Sequence, residues 1–246
     1  MKPSLRRSFR CLRQLRCVTA ALAILPAASW ASEIVFEDDF ESANDQGVSH
    51  PATGTFPVFR AKAIALSELG PDAASTTAQG SVLQLDRSEE RVTGHVRVIG
   101  ELTRTVQAGE KLRLSFDGRL ERGTALQFGF GSIEGGIDMG KGHAFTIICA
   151  IADDGSISVY DGTSYRTIRE LTAVVGKWDQ YVLEFTPCSG DLVLAIGNQT
   201  ATVPGPFAAG LDPVSSVHEI FFSTASNEVT GQIDNVKAEI LAPGEN

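Results

Sequence analysis

The stretch 111-KLRLSFDGRL-120 decides the fold class. Apolar side chains stand at every second position, at Leu112, Leu114 and Phe116, and charged or small residues fill the positions between them. A period of two is typical of a β-strand that buries one face and exposes the other. The same alternation returns in 125-ALQFGFGSI-133 and in 178-WDQYVLEF-185. These three segments therefore predict antiparallel strands that cover a core with one face.

Short apolar runs between turn residues fill the rest of the chain. Only 65-ALSEL-69 and 171-LTAVVGKW-178 offer a short helical turn. About a dozen short strands with turns between them predict an all-β fold, a two-sheet antiparallel β-sandwich of jelly-roll type, as a single domain over 32–246. The further strands are predicted at 33–40, 57–66, 81–87, 92–99, 143–151, 156–161, 190–196, 217–224 and 231–241.

Residues 1–31 predict a signal peptide. Six basic residues precede the apolar run 17-CVTAALAIL-25, and Ser29-Trp30-Ala31 is a small-x-small cleavage site. The pair Arg6-Arg7 leaves twin-arginine export open beside the ordinary route. We therefore expect a secreted or periplasmic protein that is cut after Ala31. No later stretch reaches the roughly 20 apolar residues of a membrane span.

The charge of the chain limits its partners. The net charge is −9, and cleavage would remove six basic residues and no acid, which lowers it to −15. A protein this acidic repels phosphate backbones and anionic lipids, so we expect neither nucleic acid nor a membrane surface as partner.

Two cysteines remain after the predicted cleavage, Cys149 and Cys188. They would form one disulfide in an oxidising compartment, or Cys149 would be a buried free thiol, since it alternates with Phe145, Ile147 and Ile151. Both interpretations stay open. Two cysteines fall short of a zinc site of about four ligands.

Several segments carry a family resemblance. They are the opening 36-FEDDFES-42, the close 231-GQIDNVKAEIL-241, and the central succession 152-ADDGSISVYDG-162, 176-GKWDQYVLEF-185 and 189-SGDLVLAIGN-198. Together they resemble the concanavalin A-like lectin/glucanase superfamily, in the laminin-G-like form of secreted bacterial proteins. The resemblance implies a concanavalin A-like jelly roll. It leaves the activity open, because that fold serves lectins, hydrolases, lyases and adhesion domains alike.

The leading hypothesis is a non-catalytic, lectin-like domain that binds a polysaccharide or a cell-surface glycan. A polysaccharide-degrading hydrolase or lyase, and a structural or adhesion protein of the envelope, are the alternatives. Laminarinase-type members of the superfamily use a Glu-x-Asp-x-x-Glu strand, and no such spacing occurs here. The lyases need Gln, His and Tyr together, for which Gln127, His143 and Tyr160 are the candidates, but no lyase signature surrounds them.

Aromatic residues are the first candidates for sugar binding, because sugars stack their apolar faces on aromatic rings. Tyr160 has outward parity relative to Ile157 and Val159. The alternative for Trp178 is a lid on the core. The predicted binding set is Trp178, Tyr160 and Tyr165, with Asp161, Arg119 and Gln127 as polar partners.

The acidic opening predicts a cation site. Asp38 shares the parity of Ile34 and Phe36, and Asp234 shares that of Val236, so both carboxylates should point into the sandwich from neighbouring first and last strands. Paired buried carboxylates repel each other unless a proton, a donor or a cation compensates them. We expect one structural calcium ion, with Asp38, Asp39, Glu41 and Asp234 as ligands. The alternative is that these acids cap strand ends.

Overall fold

The structure is a computed structural model. It describes residues 31–242 except 45, 60, 74, 87–95, 123–125, 132–136, 139–143, 161–163, 189, 206, 210–211 and 225–229. Residues 1–30 of the predicted signal peptide lie outside this range, so export remains a prediction.

The described residues form strands and two short 3-10 helices, η1 (Leu66–Leu69) and η2 (Pro71–Ala73). The predicted all-β class is thereby confirmed. The strands are β1 (Glu33–Asp38), β2 (Thr55–Phe59), β3 (Lys62–Ala65), β4 (Ser81–Asp86), β5 (Arg97–Val106), β6 (Lys111–Arg122), β7 (Leu126–Gly131), β8 (Ile137–Asp138), β9 (Ala144–Ile151), β10 (Ser156–Tyr160), β11 (Tyr165–Thr172), β12 (Asp179–Phe185), β13 (Leu192–Ile196), β14 (Gln199–Val203), β15 (Ala208–Ala209), β16 (Asp212–Pro213), β17 (Val217–Thr224) and β18 (Thr230–Leu241).

Two antiparallel sheets make up the sandwich. The first sheet has the order β14-β13-β12-β6-β18-β4-β3, with β1 also paired to β18. The second sheet has the order β11-β10-β9-β7-β17-β5-β2, with β8 also paired to β9. Strands β15 and β16 form a small separate ribbon. The predicted two-sheet jelly roll is therefore confirmed. Among the described residues, no helix is long and apolar enough to cross a membrane.

The core lies between the two sheets, and the alternation of β6 faces it as predicted. Leu112, Leu114 and Phe116 are all buried. The ring of Phe116 stacks on Tyr181 of the same sheet, with centroids 5.0 Å apart, and meets Phe128 of the second sheet edge-on at 5.0 Å. Burial of such aromatic side chains is the main favourable contribution to folding.

Strand β18 pairs with three other strands, β1, β4 and β6. One of its edges pairs with β6, and the other is shared between β4 and β1, with Ile233 opposite Leu83 and Val236 opposite Asp38. The end of β1 and the start of β4 therefore meet beside Asp234 and Asn235. A bulge interrupts the β6 register at this point, and Asn235 has a φ of 51°.

Neither of the two described cysteines is paired in a disulfide. Cys149 is buried in the core, and Cys188 is exposed. Burial raises the pKa of the Cys149 thiol well above its ordinary value. Of the two interpretations left open by the sequence, the structure shows the buried thiol rather than a disulfide.

Candidate functional site

The two outer faces of the sandwich differ in chemistry. On the first sheet the outer face carries ion pairs, such as Arg113 to Glu184 at 2.6 Å and Lys237 to Glu239 at 2.8 Å. On the second sheet the outer face carries an apolar cluster. Its buried members are Ile99, Phe145, Ile148 and Phe221, and Val58 and Tyr160 pack against it. Among these residues of the second sheet, Tyr160 is only half-buried.

A bulge brings Phe145 to this face. Its parity with Ile147 and Cys149 predicted a core position, but the β7–β9 register shifts between Phe130 and Gly131. Gly131 then lies opposite Phe145, whose ring stacks on Phe221 with centroids 3.5 Å apart. One extra residue on β9 thus reverses the direction of the Phe145 side chain.

Three of the predicted sugar-binding residues come together on this outer face. The rings of Tyr160 and Tyr165 lie 5.3 Å apart at an interplanar angle of 51°. The side-chain amide of Gln127 donates a hydrogen bond to the Tyr165 hydroxyl at 3.0 Å. We call these three residues the tyrosine patch.

The tyrosine patch is accessible and uncharged. Tyr165 has 46% of its surface exposed, the Tyr160 ring is half-buried against the apolar cluster, and Gln127 is half-buried. Partial burial raises the pKa of the Tyr165 phenol, and the neighbouring Tyr160 raises it further, so the hydroxyl keeps its proton at neutral pH. The patch thus offers an exposed ring beside hydrogen-bonding groups.

The other predicted binding residues lie elsewhere. Trp178 is only 9% exposed and packs with Ile64 and Val82 on the first sheet, and its indole N–H donates to the Ala73 carbonyl at 2.8 Å. This position agrees with the alternative that Trp178 covers a core, here a small one on the outer face of the first sheet. A ring so buried cannot stack a sugar.

Arg119 is also buried on the first sheet. Its guanidinium donates to the Gly176 carbonyl at 2.9 Å and to Gln232 Oε1 at 3.2 Å. It therefore serves the fold rather than the tyrosine patch. Asp161, the sixth predicted residue, and His143 of the lyase trio lie outside the described residues.

Three of the four predicted calcium ligands line one cavity of about 500 Å³, where β1, β4 and β18 meet. Sequence reasoning missed the other lining residues, because they come from the loop before β4 and from the bulge. The lining consists of Asp39, Glu41, Asp234, Thr77, Gln79, Gly80 and Asn235. We call it the acidic cavity.

The carboxylates of the acidic cavity already accept backbone hydrogen bonds. Asp234 accepts from the N–H groups of Gln79 at 3.0 Å and Asn235 at 2.8 Å. Glu41 accepts from the N–H of Ser81 at 2.7 Å, and Asp39 from that of Glu41 at 3.1 Å. The strand-end capping that the sequence left as an alternative is thus present.

Asp38 does not line the acidic cavity. It lies opposite Val236 on the core side of β1, is 1% exposed, and its Oδ1 accepts from the Phe40 N–H at 2.8 Å and the Ser49 hydroxyl at 3.1 Å. Burial raises the pKa of the Asp38 carboxyl above its ordinary value, although these donors oppose the rise.

The orientation of Asp234 differs from the predicted one. Asp234 lies opposite Asp117 on the outer face, because the bulge at Asn235 breaks the parity that connects it to Val236. The Asn235 side chain donates to Asp117 Oδ2 at 2.9 Å. Burial raises the pKa of Asp234 to about 6, and the negative charges of Asp117 and Glu41 add to the rise.

The donor set meets the requirements of calcium only in part. Its oxygens are the hard ligands that calcium prefers. Within the described ranges, however, no group of three or more His, Cys, Asp or Glu residues is placed to hold a metal ion. The Asp39 and Glu41 side chains are exposed, and each already accepts one backbone hydrogen bond.

Comparison with known proteins identifies the fold. No protein-family model matches the chain, and no curated protein matches it. Similar solved structures include the binding domain of Paraclostridial Mosquitocidal Protein 1 (TM-score 0.53, 12% identity, 85% of this chain and 49% of that one). They also include a sialidase (0.52, 12%, 85% and 18%) and the carbohydrate esterase vb_24B_21 from Shiga toxin-encoding bacteriophage phi24B (0.51, 11%, 86% and 100%).

These identities show a shared fold alone. The chain spans about a fifth of the sialidase and half of the mosquitocidal binding domain that it matches. The two antiparallel sheets and these neighbours identify a concanavalin A-like β-sandwich, as the sequence segments predicted.

Proposed function

We propose that this concanavalin A-like sandwich is a secreted, non-catalytic glycan-binding protein, and that its binding site is the tyrosine patch. The ligand is a polysaccharide or a cell-surface glycan. The predicted signal peptide supports export. The tyrosine patch on the outer face of the second sheet supports a glycan as the ligand.

The observation that carries this proposal is the exposed Tyr165 ring beside Tyr160 and Gln127. A sugar presents an apolar face of C–H groups and a rim of hydroxyls, which an aromatic ring and an amide match in turn. The salt-bridged outer face of the first sheet offers no such pairing in its described part.

The names of two structural neighbours agree with a glycan as the ligand class to test first. One is a sialidase and the other a carbohydrate esterase. At 12% and 11% identity they share the fold with this chain, and their activities are their own.

A glycan array with the purified protein tests the proposal, followed by calorimetry on the tightest-binding oligosaccharide. Tyr165→Ala should weaken binding about fivefold or more, because stacking of a ring on an aromatic side chain is worth roughly 1–3 kcal/mol. Val174→Ala is the control, since Val174 is an exposed apolar side chain that is not part of the tyrosine patch. Tyr165→Ala binding as tightly as the unmodified protein would refute the assignment.

The same protein distinguishes the alternatives. Release of new reducing ends or unsaturated sugars from a bound polysaccharide would replace the lectin-like proposal with the degrading enzyme. A folded protein that binds no glycan would favour the structural or adhesion role.

A structural calcium ion in the acidic cavity is the second part of the proposal. Its support is the convergence of Asp39, Glu41 and Asp234 on one cavity and the raised pKa of Asp234, to which burial contributes most and repulsion from Asp117 and Glu41 adds. A divalent cation would relieve this repulsion. It would hold the ends of β1 and β4 against β18 and take no part in chemistry.

Thermal unfolding with calcium and with a chelator tests the ion. Calcium should raise the melting temperature, because a ligand that binds only the folded state stabilises it. The double variant Asp39→Asn/Glu41→Gln should lose that increase, and Glu170→Gln, which changes an exposed acid on β11, should keep it. Equal melting temperatures with calcium and chelator would exclude the ion.

A further inference from the structure

The hydrogen bond between Gln127 and Tyr165 spans an unusual distance across the sheet. Gln127 lies on β7 and Tyr165 on the edge strand β11, with β9 and β10 between them. Neighbouring strands lie about 4.8 Å apart, so the two backbones are separated by about 14 Å. The Tyr165 side chain must therefore extend inward along the outer face to come within 3.0 Å of Gln127.

Small side chains leave room for this path. Gln127 lies opposite Ala150, Ala150 opposite Ser158, and Ser158 opposite Thr167, so this row carries little bulk. In the adjacent row Tyr165 lies opposite Tyr160, whose ring supports it at 5.3 Å. The Tyr165 ring is thus held by Gln127 at its hydroxyl end and by Tyr160 at its side.

We propose that Gln127 is a positioning residue, which holds the Tyr165 ring across the second sheet as a preformed platform for an uncharged sugar. The inference rests on the proposed glycan-binding function and assigns Gln127 a role through Tyr165 instead of a direct contact with the sugar.

Preformation matters because an exposed tyrosine on an edge strand would otherwise sample several rotamers. Ordering a side chain at an interface costs free energy on binding, and a ring fixed beforehand avoids that loss. The hydroxyl of Tyr165 accepts the Gln127 N–H, so its own proton remains available for an acceptor oxygen on the sugar.

The class of sugar follows from the side chains around the platform. In the described chain, those in the Gln127 row from β7 to β11 and in the adjacent Tyr160 row are uncharged, and the nearest cation in the Gln127 row is Arg97, two strands away across Ser223. The uncharged side chains are Gln127, Ile148, Ala150, Ser158, Tyr160 and Thr167. A uronate or an amino sugar would lose hydration here without gaining an opposite charge, which disfavours both. A neutral hexose or pentose polymer meets neither penalty.

The first arm of the test uses two sets of hexasaccharides on the purified protein. The neutral set contains cello-, laminari-, manno- and xylohexaose, and the charged set contains a hexauronate and a free-amine glucosamine hexamer. The tightest ligand should be neutral, and its affinity should change less than twofold between 50 and 500 mM NaCl, since no ion pair contributes. A charged hexasaccharide as the tightest ligand would overturn the inference, while leaving glycan binding itself established.

The second arm is a double-mutant cycle on that tightest ligand. Gln127→Ala and Tyr165→Phe should each weaken binding about three- to tenfold, and the double variant should be no weaker than the weaker single variant, because both changes break one hydrogen bond. Thr202→Ala, an exposed change on β14 of the other sheet, should bind as the unmodified protein does.

Each remaining outcome decides between the two proposals. Independent, multiplicative losses in the cycle would show that Gln127 contacts the sugar itself, which overturns the positioning role. An unchanged affinity in Gln127→Ala would overturn it as well. Failure to bind any hexasaccharide or any glycan on the array, with the melting temperature preserved, would remove the glycan-binding function and this inference together.

Discussion

At Asp234 the stability of the fold depends on pH. The pKa in the folded state, about 6, lies above the ordinary value of 3.8, because the carboxyl is buried beside Asp117 and Glu41. Between these two values the folded state binds the proton more tightly than the unfolded chain does. The associated stability is fully present below pH about 4 and is lost as the pH rises through about 6.

Substitution by asparagine should remove this dependence. In chelator, the unmodified protein should lose up to about 3 kcal/mol more than Asp234→Asn between pH 4 and pH 7, from a shift of roughly two pKa units. Urea unfolding at four pH values measures the difference in unfolding free energy between the two proteins. Asp38 titrates in both of them, so its contribution cancels in that difference. Parallel stability profiles for the two proteins would contradict the assignment, and Glu170→Gln should follow the unmodified protein.

The two described cysteines should react very differently with a thiol reagent. Cys188 is exposed, whereas Cys149 is buried and its raised pKa disfavours the reactive thiolate. Iodoacetamide at pH 8 should label Cys188 in the native protein and Cys149 only after denaturation, as peptide mapping by mass spectrometry would show. Labelling of Cys149 at a similar rate without denaturant would mean that the core opens locally.

Single residues also mark where parity in the sequence misleads. Asp234 and Phe145 were both assigned inward by alternation, and a bulge turns each of them to an outer face. A bulge leaves no reliable mark on a period of two. The one available signal was Asn235, since asparagine tolerates the positive φ of 51° better than most residues do.

At the scale of elements, the position of the segment between β3 and β4 depends on one side chain, that of Trp178, which directly precedes β12. Trp178 packs with Ile64, Ala78 and Val82, and its indole N–H holds Ala73 at the end of η2. This small outer core fixes the loop that supplies Thr77 and Gln79 to the acidic cavity. Trp178 thus supports the acidic cavity from outside it.

Truncation of Trp178 should cost stability and leave sugar binding intact. Trp178→Ala removes a large buried ring, so we expect a loss of about 3–5 kcal/mol, and Trp178→Phe a loss of about 1–2 kcal/mol from the missing hydrogen bond. Urea unfolding and calorimetry on the same samples measure both quantities. If folded Trp178→Phe lost sugar affinity, Trp178 would have to be returned to the binding set.

Most strands could be predicted because one of their faces is buried and alternates regularly. β6, β7, β12 and β17 lie where the apolar pattern placed them. Five strands were missed, and the predicted strand 57–66 is two strands, β2 and β3, which lie in different sheets. Two of the missed strands are the edge strands β11 and β14. β11 has exposed residues on both faces and a register shift near its end, and β14 is short and rich in threonine. Edge strands bury too little for a pattern to show.

At the scale of the whole molecule, the fold could be predicted because many alternating segments indicate it together. The site could not be predicted because it depends on a few side chains from separate strands. The tyrosine patch brings together β7, β10 and β11, which are not all adjacent, and no spacing in the chain indicates that Gln127 reaches Tyr165. Sequence named these three residues by chemical type, and it placed Trp178 and Arg119 with them because it could not tell which sheet carries which side chain.

Because β1 pairs with β18, the first and last strands of the domain lie side by side. We therefore expect the fold not to depend on which strand comes first along the chain. Glu33 lies opposite Ile240, one strand spacing away, so a short glycine-rich linker can join the two ends without strain. A circular permutant of residues 33–241, opened in the exposed turn between Ala108 and Gly109, should fold to the same sandwich with the same sugar affinity. A permutant with strand content but no cooperative unfolding would contradict this expectation.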